Sequence, residues 1–220
     1  MSKKTAPPTA DVTVKANYHH GDLRAQLLNA VRHLVEDKGS ENFSIAEAAR
    51  KAGVSSAAPY RHFKDKPELL KALVMDAMET MALNMRSVMD PFDIGAIERI
   101  DALGQCYIDF ARQHPGMFRL VFGLSESHAD DKELRDCGTR VFGIVIEAVA
   151  NYLGIGADEP EAERRAYMLW TMVHGHSWLM IDGKAANKGI EFPEDILLRE
   201  ISNRIVMDRT PTGLSRDTKV

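Results

Sequence analysis

SIAEAARKAGVSSAAPYRHFKDK, residues Ser44–Lys66, is the stretch that decides the fold. Ser44 is followed three residues later by Glu47, a capping-box pattern that predicts the start of a short helix. Gly53 is predicted to end that helix. A second short helix is predicted after this glycine, so the stretch has the outline of a helix-turn-helix.

The second helix of the unit is predicted to run from about Ser55 to Phe63. Ser55 or Ser56 can cap it, and Pro59 is tolerated only in a first helical turn because proline has no N–H. A helix of this size fits the major groove of DNA, which is about 12 Å wide. Phe63 is predicted to pack in the core of the unit.

Helices are also predicted on both sides of this unit. Apolar residues recur at spacings of three and four from Leu23 to Val35, and Gly39 follows as a stop. Downstream, Asp65 with Glu68 three residues later forms a second cap and starts a long helix that ends at Asp90-Pro91. The unit therefore becomes a three-helix domain joined to a long fourth helix.

The rest of the chain keeps a helical period, and no alternating strand pattern occurs in it. The sequence therefore predicts an all-α protein of about nine helices. The apolar residues of Ala166 to Ile181 cover nearly the whole helix circumference, so this helix is expected to be buried on more than one side. A last helix is predicted from about Pro193 to Met207, and these final two helices suit a four-helix interface between two chains.

Four segments are predicted from these patterns. Residues 1–17 form a flexible N-terminal arm and 18–66 a helix-turn-helix DNA-binding domain. Residues 67–210 form a larger helical ligand-binding and dimerisation domain, and 211–220 a flexible tail.

Charge is distributed unevenly between the two ends of the chain. Residues 1–66 hold 11 Lys and Arg against 7 Asp and Glu, a net charge of +4, whereas residues 67–220 hold 17 against 25, a net charge of -8. A basic module on an acidic body suits a protein that contacts a polyanion with one end only.

Composition excludes several classes of protein. No apolar run approaches the roughly 20 residues that span a bilayer, and the first residues lack a secretory signal, so we expect a cytoplasmic protein. Cys106 and Cys137 form no metal-type pair and are expected to be free thiols. His19 and His20 have no ligand partner at metal spacing, so neither a metal nor a cofactor is predicted.

Three motifs carry a family resemblance: YHHGDLR at Tyr18–Arg24, AGVSSAAPYRHFKDK at Ala52–Lys66, and WTMVHG at Trp170–Gly175. Together they resemble the TetR family of transcriptional regulators, in particular its branch with a C-terminal Trp-x-x-x-His-Gly motif. The resemblance implies a homodimer whose N-terminal domains read a palindromic DNA operator. It also implies a repressor that a small-molecule effector releases from DNA, and no enzymatic activity.

The resemblance also implies which residues contact DNA. Tyr60 and Lys66 would contact phosphate, and a phenol and an ammonium group do donate well to phosphate oxygens. The remaining predicted contacts are residues that face the groove or its edge, together with the first cap: Ser44, Ser55, Ser56, Ala57, Ala58, Arg61 and His62.

A ligand site is predicted around the C-terminal motif. Trp170 and His174 are four residues apart and so share a helix face, with Tyr167 and Trp178 nearby. Tyr107 and Phe110, on an earlier helix, complete the predicted lining, which suits a partly apolar effector. His174 has two interpretations, either as a contact to the polar end of the ligand or as a buried histidine bonded to a backbone carbonyl.

Two other functions are considered beside DNA-binding regulation. The first is a helical enzyme or metal-dependent protein that uses His128, Cys137, His174 and His176, although no HExxH, GxSxG or glycine-rich phosphate loop accompanies them. The second is an architectural protein in which the helix-turn-helix serves as an interaction unit.

Overall fold

A computed structural model describes residues 23–123, 131–184, 189 and 193–207. These ranges contain eight α-helices and no β-strand, which confirms the predicted all-α class, with one α-helix fewer than the nine expected. The predicted arm, most of the Tyr18–Arg24 motif, His19, His20, His128 and the tail lie outside the described residues. The helices are α1 (Leu23–Lys38), α2 (Ile45–Lys51), α3 (Lys66–Met89), α4 (Ile97–Gln113), α5 (Pro115–Gly123), α6 (Lys132–Leu153), α7 (Pro160–Ile181) and α8 (Glu194–Ser202).

Both predicted N-caps form, although Glu47 and Glu68 do not return the bond to the N-cap N–H: the Glu47 carboxylate accepts from Lys38 and the Glu68 carboxylate from the Lys64 N–H. The Ser44 hydroxyl accepts a hydrogen bond from the Glu47 N–H at 3.1 Å, and the Asp65 carboxylate accepts one from the Glu68 N–H at 2.9 Å. Each cap satisfies an N–H group that the first helical turn leaves unpaired. The starts of α2 and α3 follow directly from these short side chains.

The second helix of the helix-turn-helix is much shorter than predicted. Only Pro59–Arg61 is helical, as a single 3₁₀ turn, so the predicted helix from Ser55 to Phe63 is wrong in its extent. An α-helix that began at Ser55 would need an N–H at Pro59, which proline does not have. The Ser55 carbonyl instead accepts from the Ala58 N–H at 3.0 Å, which is the tighter bond of a turn.

Two hydrophobic cores lie along the molecule, and α3 passes through both. Its first half, from Leu69 to Ala77, packs with α1, α2 and Phe63, and we call this part of the molecule the head. Its second half, from Met81 to Met89, packs with α4, α6, α7 and α8, and we call this part the body. The proposed domain boundary at Lys66 therefore coincides with the first residue of α3, and packing continues across it.

Helix α5 joins the head to the body. The Glu36 carboxylate on α1 accepts hydrogen bonds from the Gly116 N–H at 2.8 Å and the Met117 N–H at 3.0 Å. Gly116 is required for this approach, because a Cβ atom there would lie 2.6 Å from the Val35 carbonyl oxygen. The N-terminus of α5 is thus capped by a side chain of α1.

A buried arginine of α7 binds the segment Asn203–Met207, at the end of the described chain. The Arg165 guanidinium donates to the carbonyls of Ile205 at 2.8 Å and Val206 at 2.7 Å, within a π-helical turn at Asn203–Met207. It also donates to Glu161 at 2.6 Å, so its charge is paired. None of the helices in the described ranges is long and apolar enough to cross a bilayer.

Candidate nucleic-acid interface and helical cavity

The turn after α2 forms an exposed surface at one end of the head. Tyr60 is 59% exposed, and the other exposed residues of this surface are Ser55, Ser56, Ala57, Arg61 and His62. Ala58 was predicted to face the groove, but it is only 9% exposed, because its side chain turns inward beside Pro59 at the start of the 3₁₀ turn. We call the six exposed residues the turn surface.

The chain segment that carries the turn surface holds basic residues and no acidic ones. Between Glu47 and Asp65 the chain carries Arg50, Lys51, Arg61 and Lys64 and no acidic residue. The Lys51 ammonium reaches Asp37 only at 4.0 Å, and the Arg61 and Lys64 side chains form no ion pair within the described part of the chain. Such a patch attracts a polyanion without any rearrangement of the fold.

Lys66, a predicted phosphate contact, is already bonded inside the protein. Its Nζ atom donates to the Glu41 carbonyl at 3.0 Å and the Phe43 carbonyl at 2.8 Å, and it lies 4.4 Å from the centre of the Phe43 ring. The ammonium therefore holds the α1–α2 connection against the start of α3. It retains one N–H of its three for a further acceptor.

A cavity of about 380 Å³ lies between α3, α4, α6, α7 and α8. Its volume falls in the range of small-molecule sites. Three methionines of α3 form one wall, and Gly104 of α4 faces Leu198 of α8 so closely that a Cβ atom would lie 2.6 Å from its Cδ2. The apolar residues that contribute most of the lining are Met78, Met81, Met85, Ile100, Leu103, Phe122, Phe142, Val145, Leu169, Val173 and Leu198.

Only two of the six predicted ligand residues line this cavity, namely Tyr107 and Trp170. Tyr167 is wrong as a lining residue, because it is 57% exposed on the outer side of α7. Phe110, His174 and Trp178 are also not part of the lining and pack behind it against the body core. Neighbouring positions of a helix face different directions, and the sequence pattern alone did not resolve which face is inward.

His174 is hydrogen-bonded at both ring nitrogens, by two side chains and not by the backbone carbonyl of its core interpretation. Its Nδ1 lies 2.7 Å from the Tyr107 hydroxyl, and its Nε2 accepts from the Trp178 indole N–H at 2.9 Å. The Trp170 indole N–H donates to the same Tyr107 oxygen at 3.3 Å. Burial lowers the pKa of His174 and raises the pKa of Tyr107, so both groups are neutral at pH 7.

In the sequence a methionine stripe at Met75, Met78, Met85 and Met89 suits either adaptable core filling or a binding surface that repacks around a ligand. Met78 and Met85 line the cavity together with Met81. Met75 packs in the head core instead. A methionine wall adapts its shape to a ligand more easily than a wall of branched side chains.

Aromatic contacts connect the cavity to α5. The ring of His174 lies 5.0 Å from that of Phe122 and 5.6 Å from that of Phe118, measured between centroids. Tyr107 lies 5.7 Å from each of the same two rings. Helix α5 thus contacts the aromatic cluster behind the cavity with these two rings, and α1 through Glu36.

No metal site is formed by the residues of the metal-dependent alternative that the structure describes, which are Cys137, His174 and His176. Cys137 is buried on α6, where burial raises its pKa, and His174 is occupied by Tyr107 and Trp178. Within the described ranges no group of three or more His, Cys, Asp or Glu side chains has the arrangement of a metal site.

Comparison with protein families gives two matches. Residues 27–73 match the profile described as bacterial regulatory proteins, tetR family. Residues 100–202 match the profile described as tetracyclin repressor-like, C-terminal domain. The first match contains the turn surface, and the second contains most of the helices around the cavity.

Curated relatives include two nucleoid occlusion factors named SlmA. The protein of Mannheimia succiniciproducens is 33% identical over 103 residues, which are 46% of this chain and 47% of that protein. The protein of Vibrio vulnificus is 30% identical over 123 residues, which are 54% of this chain and 60% of that protein. The chain thus spans about half the length of the curated relatives it matches.

Solved structures share the fold over most of the chain. A protein with unknown function from Rhodococcus sp. RHA1 has a TM-score of 0.71 and 24% identity, covering 88% of this chain and 97% of its own. The fatty acid degradation regulator FadR from Bacillus halodurans has a TM-score of 0.65 and 14% identity, covering 84% and 95%. At these identities the similarity shows the fold alone.

Replacement of Lys66 tests its structural role. Lys66→Met keeps most of the stem over Phe43 but removes the two hydrogen bonds to carbonyls, so we expect a loss of about 2 kcal/mol in the free energy of unfolding, measured in urea. Lys64→Met is the matched control, since the Lys64 side chain is exposed, and it should change stability by less than about 0.5 kcal/mol. Equal stability of the two variants would contradict the structural role of Lys66.

Proposed function

Because the chain belongs to the TetR family of bacterial regulatory proteins, we propose that it is a sequence-specific DNA-binding transcriptional regulator. It acts as a cytoplasmic homodimer on a palindromic operator, and as a repressor that a small-molecule effector releases. Its assignment to the branch with the Trp-x-x-x-His-Gly motif stays a prediction from Trp170, His174 and Gly175.

The observation that carries this proposal is the turn surface with its basic surroundings. Its exposed side chains are short at Ser55, Ser56 and Ala57, so the backbone can come close to the base edges. Tyr60 and Arg61 follow as hydrogen-bond donors for phosphate oxygens or base edges. The Ser44 hydroxyl already caps α2. Ser44 therefore contributes to DNA binding mainly by positioning that helix, and less by direct contact with a phosphate.

The hydrogen bonds of Lys66 within the protein limit its contribution to phosphate binding. Two of its N–H groups are bonded to carbonyls, so its contribution is to hold the turn surface in position and to offer one remaining donor. A pre-positioned reading surface lowers the entropy lost on binding.

Dimerisation is proposed through the outer face of α7. Met168, Met172, Gly175 and Leu179 follow one another at spacings of four and three, so they lie on one face, and the three large side chains are exposed. Gly175 has no atom within 4 Å of a Cβ position, which leaves room for the backbone of a second helix. A row of exposed apolar side chains on one helix face is a candidate interaction site.

A homodimer with two turn surfaces explains why a palindrome is expected. Two-fold symmetry of the protein is mirrored in the operator, and the two half-sites lie about 34 Å apart, in successive major grooves. Neither head alone would cover more than one half-site.

Release by an effector is proposed to pass through α5. A ligand in the cavity contacts Tyr107, Trp170 and Phe122, and the aromatic cluster behind them packs on α5. A displacement of α5 changes the distance between its first N–H groups and Glu36, so the orientation of α1 and of the head depends on it. The ligand-bound and ligand-free proteins then differ in their contacts both at the cavity and at the head, and coupling between two sites requires such a difference.

A second candidate function follows from the curated relatives. Their name, nucleoid occlusion factor, describes a role connected with the nucleoid, and it agrees with the architectural alternative raised by the helix-turn-helix. Such a protein needs the same DNA-contacting head. The cavity favours the ligand-responsive regulator, because an architectural role gives no reason for a large apolar cavity in the body.

The DNA contact is tested at Tyr60. Tyr60→Phe removes one neutral donor to a phosphate, so the affinity for any DNA sequence should fall roughly tenfold while the slope of log affinity against log salt stays the same. Gel-shift titrations at several salt concentrations measure both quantities. Tyr152→Phe, on α6, is the control and should leave them unchanged. Unaltered affinity in Tyr60→Phe would contradict the contact.

The dimer surface is tested at Met172, which is 49% exposed. Met172→Asp places a charge where two apolar faces meet, so the protein should become monomeric in analytical ultracentrifugation. Leu83→Asp is the control, because Leu83 is 70% exposed on α3, away from the proposed surface. A Met172→Asp protein that remains a dimer as stable as the wild type would exclude this face.

The role of α5 is tested at Glu36. A panel of neutral apolar compounds is screened for one that weakens DNA binding by the wild-type protein, and we expect at least one such compound. Glu36→Ala should still bind that compound, followed by tryptophan fluorescence, but its DNA affinity should respond at least roughly fivefold less. The control is Asp37→Ala, an exposed neighbour on α1. The same response in Glu36→Ala and wild type would rule out the α5 route.

A further inference from the structure

The hydrogen bonds around His174 fix which ring nitrogen carries the proton. The Trp178 indole N–H is only a donor, so the Nε2 atom that accepts it at 2.9 Å has no hydrogen. A neutral imidazole then carries its proton on Nδ1, and burial favours this neutral form by lowering the His174 pKa. His174 therefore donates from Nδ1 to the Tyr107 oxygen, 2.7 Å away.

Tyr107 consequently accepts two hydrogen bonds, from His174 and from the Trp170 indole N–H at 3.3 Å. A phenol oxygen has two acceptor positions and one proton, so both acceptor positions are occupied and the O–H must donate elsewhere. Among the residues that the structure describes, no acceptor lies within hydrogen-bond distance of it. Donation from Trp178 through His174 to Tyr107 also polarises this O–H and strengthens it as a donor.

Tyr107 lines the cavity, and the rest of the lining is apolar with few exceptions. The Thr139 hydroxyl donates to the Arg135 carbonyl at 2.9 Å, and Ser202 on α8 supplies the other hydroxyl. No Lys, Arg, His, Asp or Glu is found among the described residues of the lining. An ionised ligand would lose its hydration there without gaining a counter-charge.

We propose that the cavity binds a neutral amphiphile, with an apolar chain against the methionines and one carbonyl-type acceptor on the Tyr107 O–H. Ketones, esters and amides belong to this class, whereas free carboxylates do not. The proposal rests on the proposed ligand-responsive function and adds the chemical class of the effector. Trp170, His174 and Trp178 act as positioning residues, because they fix the direction of the Tyr107 proton.

The test compares three probes of equal chain length: 2-undecanone, undecane and undecanoate. Each is titrated into the full-length protein at pH 7, with quenching of tryptophan fluorescence as the readout. We expect the ketone to bind roughly tenfold more tightly than the hydrocarbon, which is the worth of one hydrogen bond. The carboxylate should bind at least tenfold more weakly than the ketone.

Tyr107→Phe should abolish the preference for the ketone over undecane and leave the affinity for undecane within about twofold, because the ring and the cavity remain. Ser202→Ala should keep the preference, which separates the two hydroxyls. A second readout is the ¹⁵N chemical shifts of His174, which should report the Nδ1–H tautomer in the wild-type protein.

Three results would overturn the proposal: undecanoate binding as tightly as the ketone, an unchanged preference in Tyr107→Phe, or no binding of 2-undecanone up to its solubility limit. The titrations contain no DNA, so such a failure is distinct from a failure of DNA binding. Loss of DNA binding in a separate gel shift would leave the ligand result intact.

Discussion

The contact between Glu36 and the N-terminus of α5 is the interaction on which the rest of the structure depends. It pairs a carboxylate of α1 with two N–H groups of α5, the helix that packs in both cores, at 2.8 and 3.0 Å. Charge and helix dipole both favour this pairing, and the glycine at 116 allows the backbones to approach. The two hydrophobic cores share α3 and also α5, whose Met117 packs in the head core and Phe118 in the body core, and the Glu36 bonds fix the start of α5 between them.

The position of the turn surface is fixed by hydrogen bonds to backbone carbonyls and not by a long recognition helix. A single 3₁₀ turn at Pro59–Arg61 presents the exposed side chains, and Lys66 bonds to the carbonyls of Glu41 and Phe43 at its back. A single 3₁₀ turn has few hydrogen bonds of its own, so contacts with the neighbouring segments hold it in place. These bonds hold the turn surface to the start of α3, so in the proposed mechanism a ligand that displaced α3 or α5 would also displace the turn surface.

Local signals in the sequence predicted most of the fold but not all of the site. Ser44 and Asp65 act through bonds within three residues, so the starts of α2 and α3 could be predicted from sequence alone. The extent of the second helix was wrong because the missing N–H of Pro59 outweighs the capping signal before it. Tyr167 was predicted to line the ligand site but is exposed, because the apolar residues of Ala166 to Ile181 are spread around most of the helix and only packing decides which of them point inward. The Glu36 contact joins residues 80 positions apart, a distance that no local pattern reports.

The proposal that two such heads read one operator is tested most directly by selecting the DNA sequences that the purified protein binds from a random pool. The structure and the proposed dimer predict an enriched inverted repeat whose half-site centres lie about one helical turn, or 34 Å, apart. Enrichment of a single half-site without its inverted partner, or no enrichment over the starting pool, would contradict the account.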